Sequence, residues 1–249
     1  MIQFKHISKI YNKGKEDEVA ALSNLNLNIN KGEFVVIIGT NGSGKSTMLN
    51  LLLGTISPTE GAISINNHDI TSLPSFKRSQ WISMVFQNPA HGTAHDLSIL
   101  ENFRLASLRA GKKGLQIGIN NSFRKTVEEK VSSLGMGLEK KLDQPMGSLS
   151  GGQRQALTLL MGVMDKTDIL LMDEPTAALD PKSSQVVMQL ADKINKELGI
   201  TIVLVTHSMK DALHFGNRLL MFHGGQVIRD LNQTDKSALQ LGHLQEWFS

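Results

Sequence analysis

The segment 34–54 constrains the chain more than any other. It opens with FVVIIG, runs through the glycine-rich stretch GTNGSGKST (39–47), and continues with a helical pattern over 45–54. A short apolar run without alternation reads as a strand covered on both faces, as in the parallel sheet of an α/β core. The spacing from Gly39 to Ser46 fits G-x-x-x-x-G-K-[ST], between a strand and a helix as that motif requires. Gly39, Gly42 and Gly44 permit dihedrals closed to other residues. The backbone N–H groups of the loop, with Thr40, Asn41, Ser43 and Thr47 between and after them, can therefore converge on a phosphate. A helix N-terminus near Lys45 adds its positive end. Lys45 is expected to reach the terminal phosphates of a nucleotide, and Ser46 to offer its hydroxyl to Mg²⁺.

Two further runs share this character: ILLMD (169–173) and TIVLVTH (201–207), followed by helical patterns at 182–197 and 208–215. Alternating strand and helix predict an α/β architecture. LNLNIN (25–30) alternates strictly and predicts a half-buried antiparallel strand, and GAISI (61–65) followed by two asparagines predicts a strand ending in a turn. Between about 88 and 163 the strand signal gives way to helical segments, ILENFRLASLRA and FRKTVEEKVSSLGM, joined by the basic stretch GKKGLQIGINN. The expected organisation is one domain over 1–249. Its nucleotide-binding core, including a β subdomain, spans 1–87 and 164–249, and a helical subdomain is inserted at 88–163. The tail predicts a hairpin at GGQVIRDL and a final helix over 235–248.

Asp173 and Glu174 close the run ILLMDEP. At the carboxyl end of a strand expected to lie beside the cradle strand, Asp173 can hold Mg²⁺ through its oxygens. Glu174 can take the proton of a water attacking a γ-phosphate. His207, at the end of TIVLVTH, can donate to that phosphate and orient the water. The alternative for a strand-end histidine is a structural hydrogen bond. Gln87, after the apolar run in MVFQNPA, can sense the same Mg²⁺ or water through its amide. Tyr11, the one tyrosine of the chain, falls in a polar loop and can stack on adenine or simply pack. His91 and His95 have helical metal-ligand spacing but lie in a loop-like stretch with no third ligand, so no metal site is expected there.

A second glycine-rich loop, LSGGQ (149–153), lies far downstream of the first. Ser150, Gly151, Gly152 and Gln153 open a helix and so offer a hydroxyl, backbone N–H groups and a helix dipole to a γ-phosphate. One cradle suffices for one nucleotide. If two copies pair head-to-tail, Ser150–Gly152 of each can cover the nucleotide of the other. A serine at this position is also an ordinary helix cap, and both roles can hold together.

Composition narrows the classes. Net charge is only +3 and cysteine is absent, which excludes a concentrated nucleic-acid footprint, a disulfide framework and thiolate chemistry. The opening MIQFKHISKI has no apolar signal region, and no apolar window is long enough to cross a bilayer, so any membrane role is expected to be peripheral.

The ordered set GTNGSGKST, Gln87, LSGGQ, ILLMDEP, AALD (177–180) and His207 resembles the ATP-binding-cassette (ABC) ATPases over essentially the whole chain. The stretches FQNPAHGTAHDLSILENF, TAALDPK and VTHSMKDALHFGNRLLMFHGGQVI resemble a bacterial branch assigned to tryptophan/tyrosine-type importers. The resemblance implies a P-loop NTPase core with a parallel sheet, an N-terminal antiparallel β subdomain and an inserted helical subdomain. It implies ATP and Mg²⁺ as ligands, and a homodimer closed by ATP and opened by hydrolysis, with Asp180 communicating across it. A transmembrane permease would contact Gln87 and the residues to about 101, and a substrate-binding lipoprotein would supply the cargo. No nucleic-acid partner is implied. The chain would sit peripherally on the cytoplasmic face of the membrane. An exporter, a lipid- or lipoprotein-handling system, or a soluble single-cassette assembly ATPase stand as alternatives to an importer.

Overall fold

The computed structural model describes residues 1–108 and 118–248. The end of ILENFRLASLRA and the first seven residues of GKKGLQIGINN lie outside the described residues. In chain order the elements are β1 (Ile2–Tyr11), β2 (Val19–Ile29), β3 (Phe34–Gly39), α1 (Lys45–Leu53), β4 (Glu60–Ile65), β5 (His68–Asp69), α2 (Ser75–Arg78), β6 (Ile82–Val85) and α3 (Ile99–Ser107). There follow α4 (Asn121–Ser132), α5 (Gly151–Gly162), β7 (Ile169–Asp173), α6 (Pro181–Leu198), β8 (Thr201–Val205), α7 (Met209–His214), β9 (Arg218–His223), β10 (Gln226–Leu231), α8 (Gln233–Ser237) and α9 (Leu241–Glu246). The chain divides into two compact units, one of Met1–Ser79 with Asn195–Ser249 and one of Gln80–Ile194.

The first unit holds an antiparallel sheet in the order β2-β1-β4-β5. Along β2, Leu25, Leu27 and Ile29 are buried while Asn26 and Asn28 are exposed, as the alternation predicts. The β4–β5 turn is made by Asn66 and Asn67, both at positive φ (50° and 65°), the pair of conformations that a tight primed hairpin needs. In the parallel part, β3 is flanked by β8 on one side and β9 on the other, and β10 pairs antiparallel with β9. All six residues of β3 and all five of β8 are buried, which explains their unbroken apolar character. Both edges of β3 are therefore taken. The expectation that the Asp173 strand lies directly beside it is corrected: the third apolar run, β8, occupies that place.

The tail also departs from expectation. The single helix predicted over 235–248 is two short ones, α8 and α9, because Gln240 is extended (φ −117°, ψ 161°) between them. Within α8 the Lys236 ammonium is turned inward and donates to the carbonyls of Phe215 and Gly216 just past α7.

In the second unit β6 and β7 pair in parallel, from Ile82 opposite Ile169 to Val85 opposite Met172. The described residues of 88–163 form α3, α4, α5 and short 3-10 turns, with one isolated bridge between Ser98 and Pro145. Helix α6 buries Val187, Leu190, Ala191 and Ile194, at i, i+3, i+4 and i+7 along one helical face, with Met188 buried beside them. Helix α5 is buried along most of its length, including Leu157, Leu159 and Leu160. Each such leucine contributes about 1.5–3 kcal/mol relative to exposure.

Candidate functional site

The first unit builds the cradle. Gly44 precedes α1 at φ 101°, and a Cβ there would lie 2.6 Å from the Ala21 carbonyl and 2.8 Å from Leu22 Cδ2, so only glycine fits. Gly42 differs in kind. It is exposed, at φ 77°, with no atom within 4 Å of where a Cβ would lie, so it serves the left-handed bend of the loop and not a close approach. No side chain caps the start of α1 and its first turn carries no acid. By contrast α3 and α5 each begin with a full capping box. No side chain competes with an anion at this helix end, and the helix dipole favours one there. The Lys45 side chain is 5% exposed, and its ammonium donates to the carbonyls of Gly39 (2.9 Å) and Thr40 (2.8 Å), which places a positive charge within the loop. Ser46 is exposed on the first turn. The far end of α1 is closed by Arg78, 2% exposed, whose guanidinium donates to the carbonyls of Leu51 (2.6 Å), Leu52 (3.0 Å), Leu73 (2.7 Å) and Thr71 (3.1 Å). Burial lowers its pKa from the ordinary arginine value, and Asp69 opposes that shift. Nothing in the local sequence marks this residue as buried.

His207 follows β8, the parallel neighbour of β3, so it and the cradle emerge at the same carboxyl edge. Thr206 N–H donates to the Ile37 carbonyl (3.1 Å), fixing the backbone one residue before it. Tyr11 is not in a loop, as its polar surroundings suggest. It is the last residue of β1, paired with Val19, because the antiparallel ladder continues to the end of the strand. Val19 lies two residues before Ala21, whose carbonyl abuts Gly44, so the sheet carries Tyr11 toward the cradle. The Lys9 ammonium sits 5.1 Å from the Tyr11 ring centroid.

The second unit gathers the remaining candidates. Gln87 is exposed two residues past β6, and Asp173 ends β7, so both lie at the carboxyl edge of neighbouring parallel strands. Glu174 has φ 47°, a left-handed backbone that a residue with a side chain adopts rarely, and it precedes Pro175. Such strain is held only where the surroundings over-determine it, and it clusters at functional positions. The sequence around Glu174 carries no signal for this backbone.

Ser150 caps α5. Its hydroxyl oxygen accepts from Gln153 N–H (3.3 Å), while the Gln153 side-chain oxygen accepts from Ser150 N–H (3.1 Å). Gly151 is exposed and Gly152 buried. A Cβ on Gly152 would lie 2.3 Å from Ser183 Oγ, so this glycine is required by the packing of α6 against α5. Asp180 begins α6 by accepting from the N–H groups of Lys182 and Ser183, both 3.1 Å. Hydrogen bonding to Ser183 lowers its pKa below the ordinary carboxylate value. The stretch around Asp180 thus meets the start of the LSGGQ helix through Ser183.

The donors fit their expected ligands. Uncapped N–H groups and an ammonium suit phosphate. The hydroxyl of Ser46, the carboxylate of Asp173 and the amide oxygen of Gln87 are hard oxygen donors. Among the described residues no group of three His, Asp or Glu side chains is gathered for a metal.

The sequence pattern of the ABC transporter family matches residues 22–177. Over 253 aligned positions, 100% of this chain and 98% of the relative, the chain is 41% identical to a tyrosine transport ATP-binding protein of Clostridioides difficile. It is 35% identical to a methionine import ATP-binding protein of Enterococcus faecalis, over 92% of this chain and 64% of that protein. Among solved structures, the ATP-binding cassette MJ0796 of Methanocaldococcus jannaschii, dimeric and bound to ADP and Pi, matches with a TM-score of 0.80. The identity is 35%, over 94% of this chain and 99% of the other. The chain belongs to the ABC transporter family, as an ATP-binding subunit that hydrolyses ATP. Among the described residues no helix is long and apolar enough to cross a membrane.

Proposed function

We propose that the chain is the motor subunit of an importer for a small amino-acid-like solute of the tyrosine class, docked peripherally on the cytoplasmic face of a membrane permease. The observation that carries the motor reading is the uncapped start of α1 beside the buried Lys45 ammonium. The 41% identity to a tyrosine transport subunit along the whole chain supports the cargo class. Two copies work head-to-tail, and Ser150, Gly151 and Gly152 of each cover the nucleotide held by the cradle of the other.

In this reading the loop N–H groups from Gly39 through Gly42 to Thr47, with Lys45, hold the β- and γ-phosphates, and Tyr11 stacks on the adenine. Ser46, Asp173 and Gln87 hold Mg²⁺, which supplies charge neutralisation for the phosphates. Glu174 accepts the proton of the attacking water, and His207 donates to the γ-phosphate and orients that water. Asp180, through Ser183 and the start of α5, links one site to the other. The division into a nucleotide-binding core and a helical subdomain at 88–163 fits this use. The core holds ATP, the helical part presents the LSGGQ signature to the partner, and Gln87 with the segment that follows it meets the permease.

The test is purification of the tagged chain from gently solubilised native membranes. Recovery with a multi-span permease and a substrate-binding lipoprotein that binds tyrosine is the expected result. A permease alone would point to export. Recovery only with soluble partners would end the transport reading.

A further inference from the structure

Gln155 is a polar residue that stability does not explain. It is fully buried, at 0% exposure, in α5 beside Ala156, Leu157 and Leu159. Its Nε2 donates to the carbonyl of Phe86 (2.8 Å), and among the described residues its Oε1 has no hydrogen-bond partner. A buried amide satisfied at one end only is less favourable than an apolar side chain of similar size. The value of the bond therefore lies in where it leads.

Phe86 lies directly before Gln87. On the other side of Gln87, the Asn88 side-chain oxygen accepts from Ala90 N–H (3.0 Å) and its carbonyl from His91 N–H (3.1 Å). The Phe86 ring meets the edge of His91 at 6.1 Å and 77°. Helix α5 touches the same stretch again one turn on, where a Cβ at Gly92 would lie 3.0 Å from Thr158 Cγ2. The exposed Gln87 is thus carried on a short segment whose near end is tied to the helix that begins at the LSGGQ loop.

We propose that Gln155 is a positioning residue for Gln87: through the Phe86 carbonyl it makes the signature helix and the Gln87 segment one mechanical piece. A displacement at the start of α5 then reaches Gln87 through a single side-chain bond instead of being lost in a loop. The inference rests on the reading of Gln87 given above.

The test compares the cassette with its Gln155→Met, Gln87→Ala and doubly substituted variants. Turnover and KM for ATP are measured together with amide hydrogen exchange over 84–90 and 152–162. Gln155→Met is expected to lower kcat about tenfold, the scale of a modest misplacement near the chemistry, and to leave KM within about twofold. Exchange should rise over 84–90 and stay unchanged over 152–162. The double variant should be no slower than Gln87→Ala alone, since both remove the same contribution. Gln155→His, which keeps a ring N–H donor, should turn over close to wild type. If it is as slow as Gln155→Met, the donated bond is not what matters. A wild-type rate in Gln155→Met beside a slow Gln87→Ala overturns the tie alone. Faster exchange throughout α5 would make Gln155 an ordinary core residue. A fully active Gln87→Ala overturns the reading of Gln87 itself.

Discussion

At the scale of single residues, the most informative position is Glu174. Its left-handed backbone costs about 1–3 kcal/mol, which the surrounding structure must offset. Glycine or asparagine would occupy that conformation with less strain. In the proposed mechanism this carboxylate takes the proton of the attacking water. Glu174→Gln, which preserves shape and backbone, is expected to lower kcat by about a hundredfold or more while the variant stays folded and binds ATP. The check is steady-state turnover beside nucleotide binding. A fully active variant excludes the residue as general base. The identity of this residue was legible from its place after four apolar residues, whereas its conformation was not. Backbone sign depends on the turn that follows, and EPTAA contains no glycine to announce one.

At the scale of elements, two helix ends allow separate tests. Ser150 caps α5 within one chain and, in the proposed dimer, meets the other copy's nucleotide. Asparagine caps about as well as serine. Ser150→Asn is therefore expected to keep the thermal midpoint but slow hydrolysis. Ser150→Arg should abolish ATP-dependent dimerisation while leaving monomer ATP binding intact. Gel filtration with and without ATP distinguishes these outcomes, and normal hydrolysis by the Arg variant would remove the shared site. The second end is that of α7, held by Lys236. Burial brings the pKa of this ammonium down to about 8. The unfolded lysine titrates near 10.4. Between those values unfolding takes up a proton, so stability rises with pH. Below about 8 both states are charged and the burial penalty is fully present. A neutral amine still has two N–H donors for the two carbonyls. Relative to Lys236→Met, the wild-type midpoint is expected to climb between about pH 8 and 10.4. A flat difference would mean that the carbonyls accommodate the charge.

At the scale of the whole molecule, periodicity identified β3, β7, β8 and the helices after them, because strands covered on both faces leave unbroken apolar runs. It could not order them. Nothing in ILLMD or TIVLVTH says which lies beside FVVIIG, since that depends on long-range pairing. Tyr11 was misplaced for a related reason: a polar sequence still forms strand when its partner continues the ladder. The buried polar residues Arg78 and Gln155 left no trace in hydropathy, because their reasons are single bonds to distant carbonyls. The division into two compact units has an optical consequence. The chain has two tryptophans, and each unit contains one: Trp247, with Arg229 stacked 4.6 Å over its ring, in the first, and Trp81, whose carbonyl accepts from Asp168 and Ile169, in the second. Replacing either with phenylalanine leaves a fluorophore that reports on one unit alone. Since α6 runs unbroken through the boundary at Ile194, the two single-tryptophan proteins are expected to melt at one temperature. Two separate emission transitions would instead reveal that nucleotide cradle and signature helix unfold as independent parts.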